Sequence, residues 1–371
     1  MLNSMTIKGI NIMIAGGGTG GHLFPAFAIG RRLESEGANV VYIGSVYGIE
    51  KNYKKDLKDK LHLLNIKGID RSISIKSLFN NLLFPFRFAM SYLKSIMIII
   101  RIKPKIIIGT GGYSSGIPLL AGLLLNIKSV IHEQNSYPGI TTRFLSKKVN
   151  KVFISYDSIK SRLNNSSHLF TGNPVRENLI PIDKIKACKE MNIKPNKKTI
   201  FILGGSQGSM PLNLFFIKNY KKLIEKDIQI IWQTGARQFE EIDNLIQHPN
   251  IKVKAFIKNI HIPYSCSDLV ISRAGAMAIE ELKKFSKAMI LVPFPNAADN
   301  HQKFNALELS NNNAAKLIDQ KDIQADLIDT IFQLINNDTY RETIGANANK
   351  LHNSNSLNLI VESIKEHLFD V

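Results

Sequence analysis

The stretch Ile12-Met13-Ile14-Ala15-Gly16-Gly17-Gly18-Thr19-Gly20-Gly21-His22 decides the fold of the first half of this chain. A short apolar run followed by glycines and then by a helical pattern predicts a buried strand, a tight turn and a helix. The stretch Ile200-Phe201-Ile202-Leu203-Gly204-Gly205-Ser206-Gln207-Gly208 repeats this arrangement in the second half. The sequence therefore predicts two similar domains, each with a glycine turn after an apolar strand.

Short β-branched runs alternate with helical patterns along both halves. Such alternation is typical of βαβ units and a mostly parallel sheet. We predict an α/β fold of two Rossmann-like, doubly wound domains, residues 1–172 and 173–352, and expect the C-terminal helix within 353–371 to pack back on the first. The predicted strands are 10–15, 40–43, 61–66, 105–109, 129–132 and 151–154, then 199–203, 228–233, 251–255, 269–272 and 288–291.

The charge of the chain favours an anionic partner. Lys and Arg number 48 against 30 Asp and Glu, which gives a formal net charge of +18. This balance suits nucleic acid, an anionic bilayer or phosphorylated substrates, although a compositional drift toward Ile, Lys and Asn explains it equally well. Nucleic-acid binding is disfavoured, because no motif combines aromatic with basic residues for stacking.

The number of cysteines and the hydropathy of the chain indicate its redox compartment and its relation to a membrane. Cys188 and Cys266 lie far apart in the sequence, which argues against a disulfide framework and a cysteine zinc site and fits a reducing compartment. No secretory signal is apparent at the start. The apolar stretch 82–100 contains Pro85, Arg87 and Lys94, so we expect a chain that can touch a membrane without crossing it.

The first glycine turn suits an anion. Glycines allow close approach of the backbone, and the following helix offers free N–H groups. The turn also has the G-x-G-x-x-G spacing of dinucleotide enzymes, but the second strand ends Tyr42-Ile43-Gly44-Ser45 without the acid that would hold a nicotinamide ribose. A nicotinamide oxidoreductase is therefore disfavoured.

The turn at residues 204–208 has two interpretations. It matches the G-x-S-x-G elbow of α/β-hydrolases, in which Ser206 would be a nucleophile. It also suits a second anion site, and the similarity to the first turn favours this alternative. Two more glycine turns, 109–116 and 272–276, follow strands, so we expect a ligand with several phosphates in one crevice. No Asp-x-Asp pair or His-x-x-x-His pair is present, and we predict neither a metal nor a cofactor.

Further motifs occur in order with the four glycine turns. They are His132-Glu133-Gln134-Asn135, Thr171-Gly172-Asn173-Pro174-Val175-Arg176 and Ala298-Asp299-Asn300-His301-Gln302-Lys303-Phe304-Asn305-Ala306. Together these motifs resemble the MurG family of peptidoglycan N-acetylglucosaminyltransferases, which converts lipid I to lipid II. The resemblance covers residues 10 to about 310 and implies a GT-B fold, two Rossmann-like domains facing a cleft.

The resemblance implies that UDP-N-acetylglucosamine binds the second domain and lipid I the first. Ile257 would contact uracil, Glu281 would hold the ribose, and Gln302 with Asn305 would contact the sugar. The remaining residues implied at the substrates are Thr19, Gly20, Gly21, Tyr113, Asn135, Arg176, Ser206, Ala276 and Met277. Glu281 could instead be a solvated helix residue, and Asn305 a helix cap. Ala278 departs from the family's usual threonine, which puts one contact to the donor phosphate in doubt.

The family's reaction inverts the anomeric carbon, which requires a general base for the 4-hydroxyl of the muramyl sugar. His22 is our candidate, because imidazole titrates near neutrality and this histidine ends the first glycine turn. A histidine that only contacts the acceptor or packs the turn is the alternative. Glu133 is a weaker candidate, and a structural role in its loop suits it better.

Aromatic and basic residues interleave in the stretch 76–88, with Lys67, Arg71, Lys76, Arg87 and Lys94 in or around it. This pattern suits shallow docking on an anionic bilayer, and a buried amphipathic helix is the alternative. We expect a peripheral protein on the cytoplasmic face of the bacterial inner membrane. Another GT-B transferase that acts on a glycolipid remains the alternative function, and a non-enzymatic polyanion binder is less favoured.

Overall fold

The computed structural model describes residues 6–69, 74–163, 167–205 and 207–369, without the side chains of residues 75–77 and 80. The chain divides into two compact units. Unit 1 comprises the chain up to Arg176 together with the segment from Asn353 onward, and unit 2 comprises Glu177–His352. The division therefore falls close to residue 172 and again after His352.

Unit 1 is built on a parallel sheet. The described residues form strands β1 Asn11–Ala15, β2 Asn39–Ser45, β3 Leu61–Leu64, β4 Ile106–Gly109, β5 Lys128–Glu133, β6 Lys151–Ile154 and β7 His168–Phe170. Their order is β3-β2-β1-β4-β5-β6-β7. The order reverses between β1 and β4, and this switch point is where doubly wound sheets bind ligands.

Helices cover the sheet of unit 1. They are α1 Gly20–Ser35, α2 Lys54–Leu57, α3 Ile75–Leu82, α4 Phe84–Ile102, α5 Tyr113–Leu124 and α6 Ile140–Leu145. Helix α1 follows the first glycine turn closely, and Gly20 and Gly21 already belong to its first helical turn.

Unit 2 repeats the design. Its described strands are β8 Thr199–Leu203, β9 Gln229–Gln233, β10 Ile251–Lys254, β11 Leu269–Ser272, β12 Ala288–Leu291 and β13 Lys316–Leu317, in the order β10-β9-β8-β11-β12-β13. The switch point lies between β8 and β11. The helices are α7 Lys184–Glu190, α8 Met210–Ile224, α9 Phe239–Leu245, α10 His261–Cys266, α11 Ala276–Lys284, α12 His301–Asn311, α13 Ile323–Ile335 and α14 Asp338–Lys350.

The last helix, α15 Ser356–Phe369, belongs to unit 1. Its residues Ile360 and Ile364 are fully buried in the same apolar cluster as Ile29 of α1 and Phe153 of β6. Burial of an isoleucine side chain is worth about 1.5–3 kcal/mol, so this apolar face fixes the chain terminus on unit 1.

One arrangement in unit 2 is not apparent from the sequence. Cys188 in α7 and Cys266 in α10 are both buried and free. They lie far apart in the chain, but α7 packs on α10. No helix in the described part of the chain is long and apolar enough to cross a membrane.

Candidate active site

All four predicted glycine turns lie at a switch point. The turns after β1 and β4 flank the switch point of unit 1, and those after β8 and β11 flank that of unit 2. At each turn a helix begins close behind, so its first N–H groups lack intrahelical acceptors. Among the described residues, the N–H groups of Thr19, Gly20, Gly21, Ala276 and Met277 have no acceptor.

A buried carboxylate occupies part of the first turn. Glu50 has no exposed surface, and its Oε2 accepts a hydrogen bond of 2.8 Å from the Gly18 N–H. Its Oε1 accepts one of 2.6 Å from the Ser45 N–H. A Cβ at Gly17, where φ is +151°, would lie 2.3 Å from the same carboxylate, so only glycine fits there. The part of the turn open to an anion is therefore limited to residues after Gly18.

The second turn packs against the imidazole of His22. A Cβ at Gly111, where φ is +101°, would lie 2.6 Å from His22 Nδ1, so glycine is needed to leave room for the ring. The Thr110 hydroxyl donates a hydrogen bond of 2.8 Å to the His22 carbonyl and ties the two turns together. His22 itself is half-buried. Tyr113 begins α5, with its ring edge-on to Phe84 at 5.9 Å.

A buried glutamine contacts His22. The Nδ1 of His22 lies 3.0 Å from Oε1 of Gln134, which follows the end of β5. Gln134 is 1% exposed. The sequence motif that contains Gln134 was noted, but the residue itself was given no role.

Glu133 supports its loop. Its Oε1 accepts from both the backbone and the side-chain nitrogen of Asn135, at 3.1 and 3.2 Å. Its Oε2 accepts from the Gly139 N–H at 3.0 Å and from the Thr142 hydroxyl at 2.5 Å. A buried carboxylate with four donors is committed to these bonds, which argues against Glu133 as the general base.

In unit 2, a hydrogen bond supports the turn that precedes α11. Ser206 lies outside the described residues. Ala276 and Met277 begin α11 and are buried. Asn305 has no exposed surface, and its Nδ2 donates a hydrogen bond of 3.2 Å to the Ala274 carbonyl. Asn305 therefore supports the fourth turn from behind.

Glu281 is held by a tyrosine. The hydroxyl of Tyr264 donates a hydrogen bond of 3.0 Å to Glu281 Oε2. Tyr264 is fully buried and Glu281 is 8% exposed, so Glu281 is not the solvated helix residue considered as its alternative. Sequence reasoning missed Tyr264, since nothing in the stretch around it links it to α11.

Ile257 and Gln302 each make one hydrogen bond within unit 2. The Ile257 N–H donates a hydrogen bond of 2.9 Å to Gln233 Oε1, and its carbonyl has no donor among the described residues. Gln302 Oε1 accepts from the Phe294 N–H at 2.9 Å, and within the described part of the chain its amide nitrogen has no acceptor. Gln233 is a further residue that the sequence did not indicate.

Arg176 lies in unit 1, at the end of its first segment. Its guanidinium is 5.4 Å from the centre of the Phe24 ring, a cation–π distance. Among the described residues, no group of three or more His, Cys, Asp or Glu side chains could hold a metal ion.

Comparisons with known proteins cover both units. The N-terminal domain of glycosyltransferase family 28 matches residues 12–154, and the C-terminal domain of that family matches residues 199–361. A Flavobacterium psychrophilum protein named UDP-N-acetylglucosamine--N-acetylmuramyl-(pentapeptide) pyrophosphoryl-undecaprenol N-acetylglucosamine transferase is 35% identical over 356 residues, covering 95% of this chain and 96% of its own. A Christiangramia forsetii protein of the same name is 33% identical over 363 residues, covering 97% and 98%.

A solved structure agrees. The crystal structure of Acinetobacter baumannii MurG has a TM-score of 0.75 and 27% identity, and the match covers 96% of this chain and 99% of that one. The predicted GT-B class, with two Rossmann-like parallel-sheet domains, is confirmed. By sequence and by fold, the chain belongs to glycosyltransferase family 28 and, within it, to the MurG family.

Proposed function

We propose that this chain is an inverting glycosyltransferase that transfers N-acetylglucosamine from UDP-N-acetylglucosamine to the 4-hydroxyl of the muramyl sugar of lipid I, forming lipid II for peptidoglycan synthesis. The observation that carries the proposal is the 35% identity, over 95% of the chain, to a transferase with that name. The glycine turns at both switch points support it, because they offer backbone N–H groups to two phosphorylated substrates.

The donor binds unit 2 in this proposal. The Ile257 carbonyl accepts from uracil, the Glu281 carboxylate accepts from the ribose hydroxyls, and the Gln302 amide nitrogen donates to the sugar. The N–H groups of Ala276 and Met277 donate to the diphosphate, with the positive end of the α11 dipole behind them.

Further residues complete the donor contacts. We assign Ser206 and Arg176 to the diphosphate, and Thr19 and Asn135 to the donor from unit 1. Asn305 acts only through the turn that it supports, since it is fully buried.

The acceptor binds unit 1, where the turn at residues 109–116 offers the N–H groups of Gly111, Gly112 and Tyr113, which donate to no acceptor in the described part of the chain. Gly20 and Gly21 of the first turn offer two more. These groups suit the pyrophosphate of lipid I.

The reaction is a displacement at the anomeric carbon. His22 takes the proton of the 4-hydroxyl, the oxygen forms the new bond to C1 of N-acetylglucosamine, and the bond from C1 to the diphosphate breaks as UDP leaves with the electron pair. Helix N-termini, each about half a positive charge, stabilise the departing diphosphate.

Substitution of the base tests the mechanism. For His22→Ala we expect kcat to fall by about 10²–10⁴-fold while the Kd for UDP stays unchanged, because general-base catalysis contributes about that much. Lipid II formation from a lipid I analogue is measured by chromatography, and His248→Ala in unit 2 is the control. Unchanged turnover in His22→Ala would remove this histidine from the mechanism. Transfer to a different glycolipid, with none to lipid I, would favour the alternative transferase.

Membrane contact is proposed through α4. One face of this helix is exposed and apolar, with Phe86 at 68% exposure followed by Met90, Leu93 and Met97. These four residues recur at helical spacing, so they form one stripe. Leu82, the last residue of α3, is exposed as well, at 75%. A buried amphipathic helix does not describe this face. Among the predicted flanking bases, Arg71 and the side chain of Lys76 lie outside what the structure describes.

We propose that this stripe docks on the cytoplasmic face of the inner membrane. Cosedimentation with phosphatidylglycerol vesicles at low salt tests it, and the double variant Phe86→Ser, Met97→Ser should lose binding. Leu245→Ser removes an exposed leucine of unit 2 and serves as the control. Equal binding by the stripe variant and the wild type would reject the assignment.

A further inference from the structure

The hydrogen bonds around Gln134 identify which of its two terminal atoms faces His22. Gln134 Nε2 lies 2.8 Å from the backbone carbonyl of His132. A carbonyl oxygen only accepts hydrogen bonds, so the atom that faces it is the amide nitrogen. The amide oxygen therefore points at His22, at 3.0 Å from Nδ1.

The second hydrogen of the Gln134 amide also has an acceptor. Gln134 Nε2 lies 2.8 Å from Nδ1 of His132, and Nε2 of His132 lies 3.2 Å from the Gly172 carbonyl. This arrangement is consistent when His132 carries its proton on Nε2 and accepts on Nδ1. Asn173 Nδ2 donates to the Gln134 carbonyl at 3.1 Å and anchors the backbone. The amide cannot reverse without placing its oxygen against two acceptors.

We propose that Gln134 is a positioning residue that holds His22 in the tautomer with the proton on Nδ1, which makes Nε2 the proton-accepting atom. An amide oxygen can only accept, so Nδ1 must donate. Nε2 has no partner among the described residues and is not an enclosed atom, so it is open to an incoming hydroxyl. The catalytic consequence rests on the proposed function, whereas the tautomer itself does not.

The choice of an amide has a chemical consequence. A carboxylate at the same distance would favour the imidazolium form, which cannot accept a proton. Gln134 fixes the ring and its tautomer without adding a negative charge. The close approach of Gly111 to the ring of His22 limits its rotation as well.

Nitrogen NMR tests the tautomer directly, in the wild-type protein and without substrate. In protein labelled with ¹⁵N-histidine, with His22→Ala used for assignment, we expect His22 Nε2 at the shift of an unprotonated nitrogen and Nδ1 at that of a protonated one, at a pH where the ring is neutral. A protonated Nε2, or an average of both tautomers, overturns the proposal.

The pH profile tests the positioning role. For Gln134→Glu we expect the acidic limb of kcat/KM to move up by about one pH unit or more, which is about tenfold lost activity below that limb. A loss of activity that is equal at every pH would indicate a merely structural role and overturn the assignment. If this variant does not fold, the wild-type NMR measurement decides alone.

Gln229→Glu is the matched control. Gln229 is 1% exposed, and its Nε2 donates to the Lys194 carbonyl at 2.7 Å, so the substitution creates the same conflict between carboxylate and carbonyl in unit 2. We expect lower stability and an unmoved pH profile. If the protein makes no lipid II but His22 has the expected tautomer, the proposed function is rejected and the tautomer assignment stands. If the protein makes lipid II but Nε2 of His22 is protonated, the tautomer assignment is rejected and the proposed function stands.

Discussion

Substitution of Tyr264 by phenylalanine tests whether α10 positions the proposed ribose ligand. The change removes one hydroxyl, which donates to Glu281 Oε2 at 3.0 Å. The ring keeps its contacts with Phe201 and Phe285, at centroid distances of 5.8 and 5.3 Å. The substitution therefore acts on the orientation of the Glu281 carboxylate.

The magnitude follows from the burial of the pair. A hydrogen bond to a charged group contributes about 1.5–3 kcal/mol to stability. We expect the ribose hydroxyls to recover part of this in the complex, which leaves a loss of about 1 kcal/mol in UDP binding. That loss corresponds to a Kd about fivefold higher. The value of kcat at saturating donor should not change, because the ribose is remote from the reacting carbon.

Calorimetry with UDP and with 2′-deoxy-UDP provides the assay. The wild type should prefer UDP, and the preference should shrink in Tyr264→Phe, because the lost orientation affects the bond to the 2′-hydroxyl. Tyr42→Phe removes another buried hydroxyl, in unit 1, and should leave both affinities unchanged. Equal weakening of both ligands, or no weakening, would refute the positioning role of Tyr264.

Further predictions concern three sets of buried groups. Glu280→Gln leaves Lys283, which is 2.8 Å away and also buried, without its counter-charge, and should cost about 3–5 kcal/mol in urea unfolding. Burial raises the pKa of Glu280, but Lys283 and His352 together outweigh the burial and the net pKa is lowered. The stability that this carboxylate contributes is therefore present above about pH 4.5 and is lost as the pH falls through the folded-state pKa, which unfolding at pH 3–7 checks. Glu50→Ala should lower kcat while the Kd for UDP stays constant, measured by transfer assay and calorimetry, because it removes the support of the first turn. Burial raises the pKa of Cys266 to about 12, so Ellman's reagent should find neither Cys266 nor Cys188 in the folded protein and both in guanidinium.

The sequence predicts the strands that contain buried apolar residues and misses two strands that do not. Strand β6 spans Lys151–Ile154, the predicted range, and three of its four residues are buried. Strands β7 and β13 were missed. Both lie at sheet edges, and neither has a buried residue in it, so they lack the apolar pattern from which strands are predicted.

The residues of the candidate site also differ in how well the sequence predicts them. The glycine turns can be predicted from short stretches of sequence, because their backbone conformation and anion affinity depend on adjacent residues. The partners of the proposed functional side chains come from elsewhere in the chain. Gln134 reaches His22 because parallel strands bring the ends of β1 and β5 to one edge of a sheet. Tyr264 in α10 reaches Glu281 in α11 because the fold of unit 2 brings these two helices together. No pattern in a single sequence records such pairings.

The two switch points differ in charge, and this difference bears on which phosphates each can bind. In unit 1 the Glu50 carboxylate accepts from the Gly18 N–H, and an anion about 4 Å from it would be repelled by about 4 kcal/mol at an effective dielectric constant of 20. Among the described residues, no carboxylate accepts from the turn amides of unit 2, such as those of Ala276 and Met277. A diphosphate leaving group therefore suits unit 2. The first turn of unit 1 is better suited to present His22 in a fixed place than to bind phosphate along its whole length.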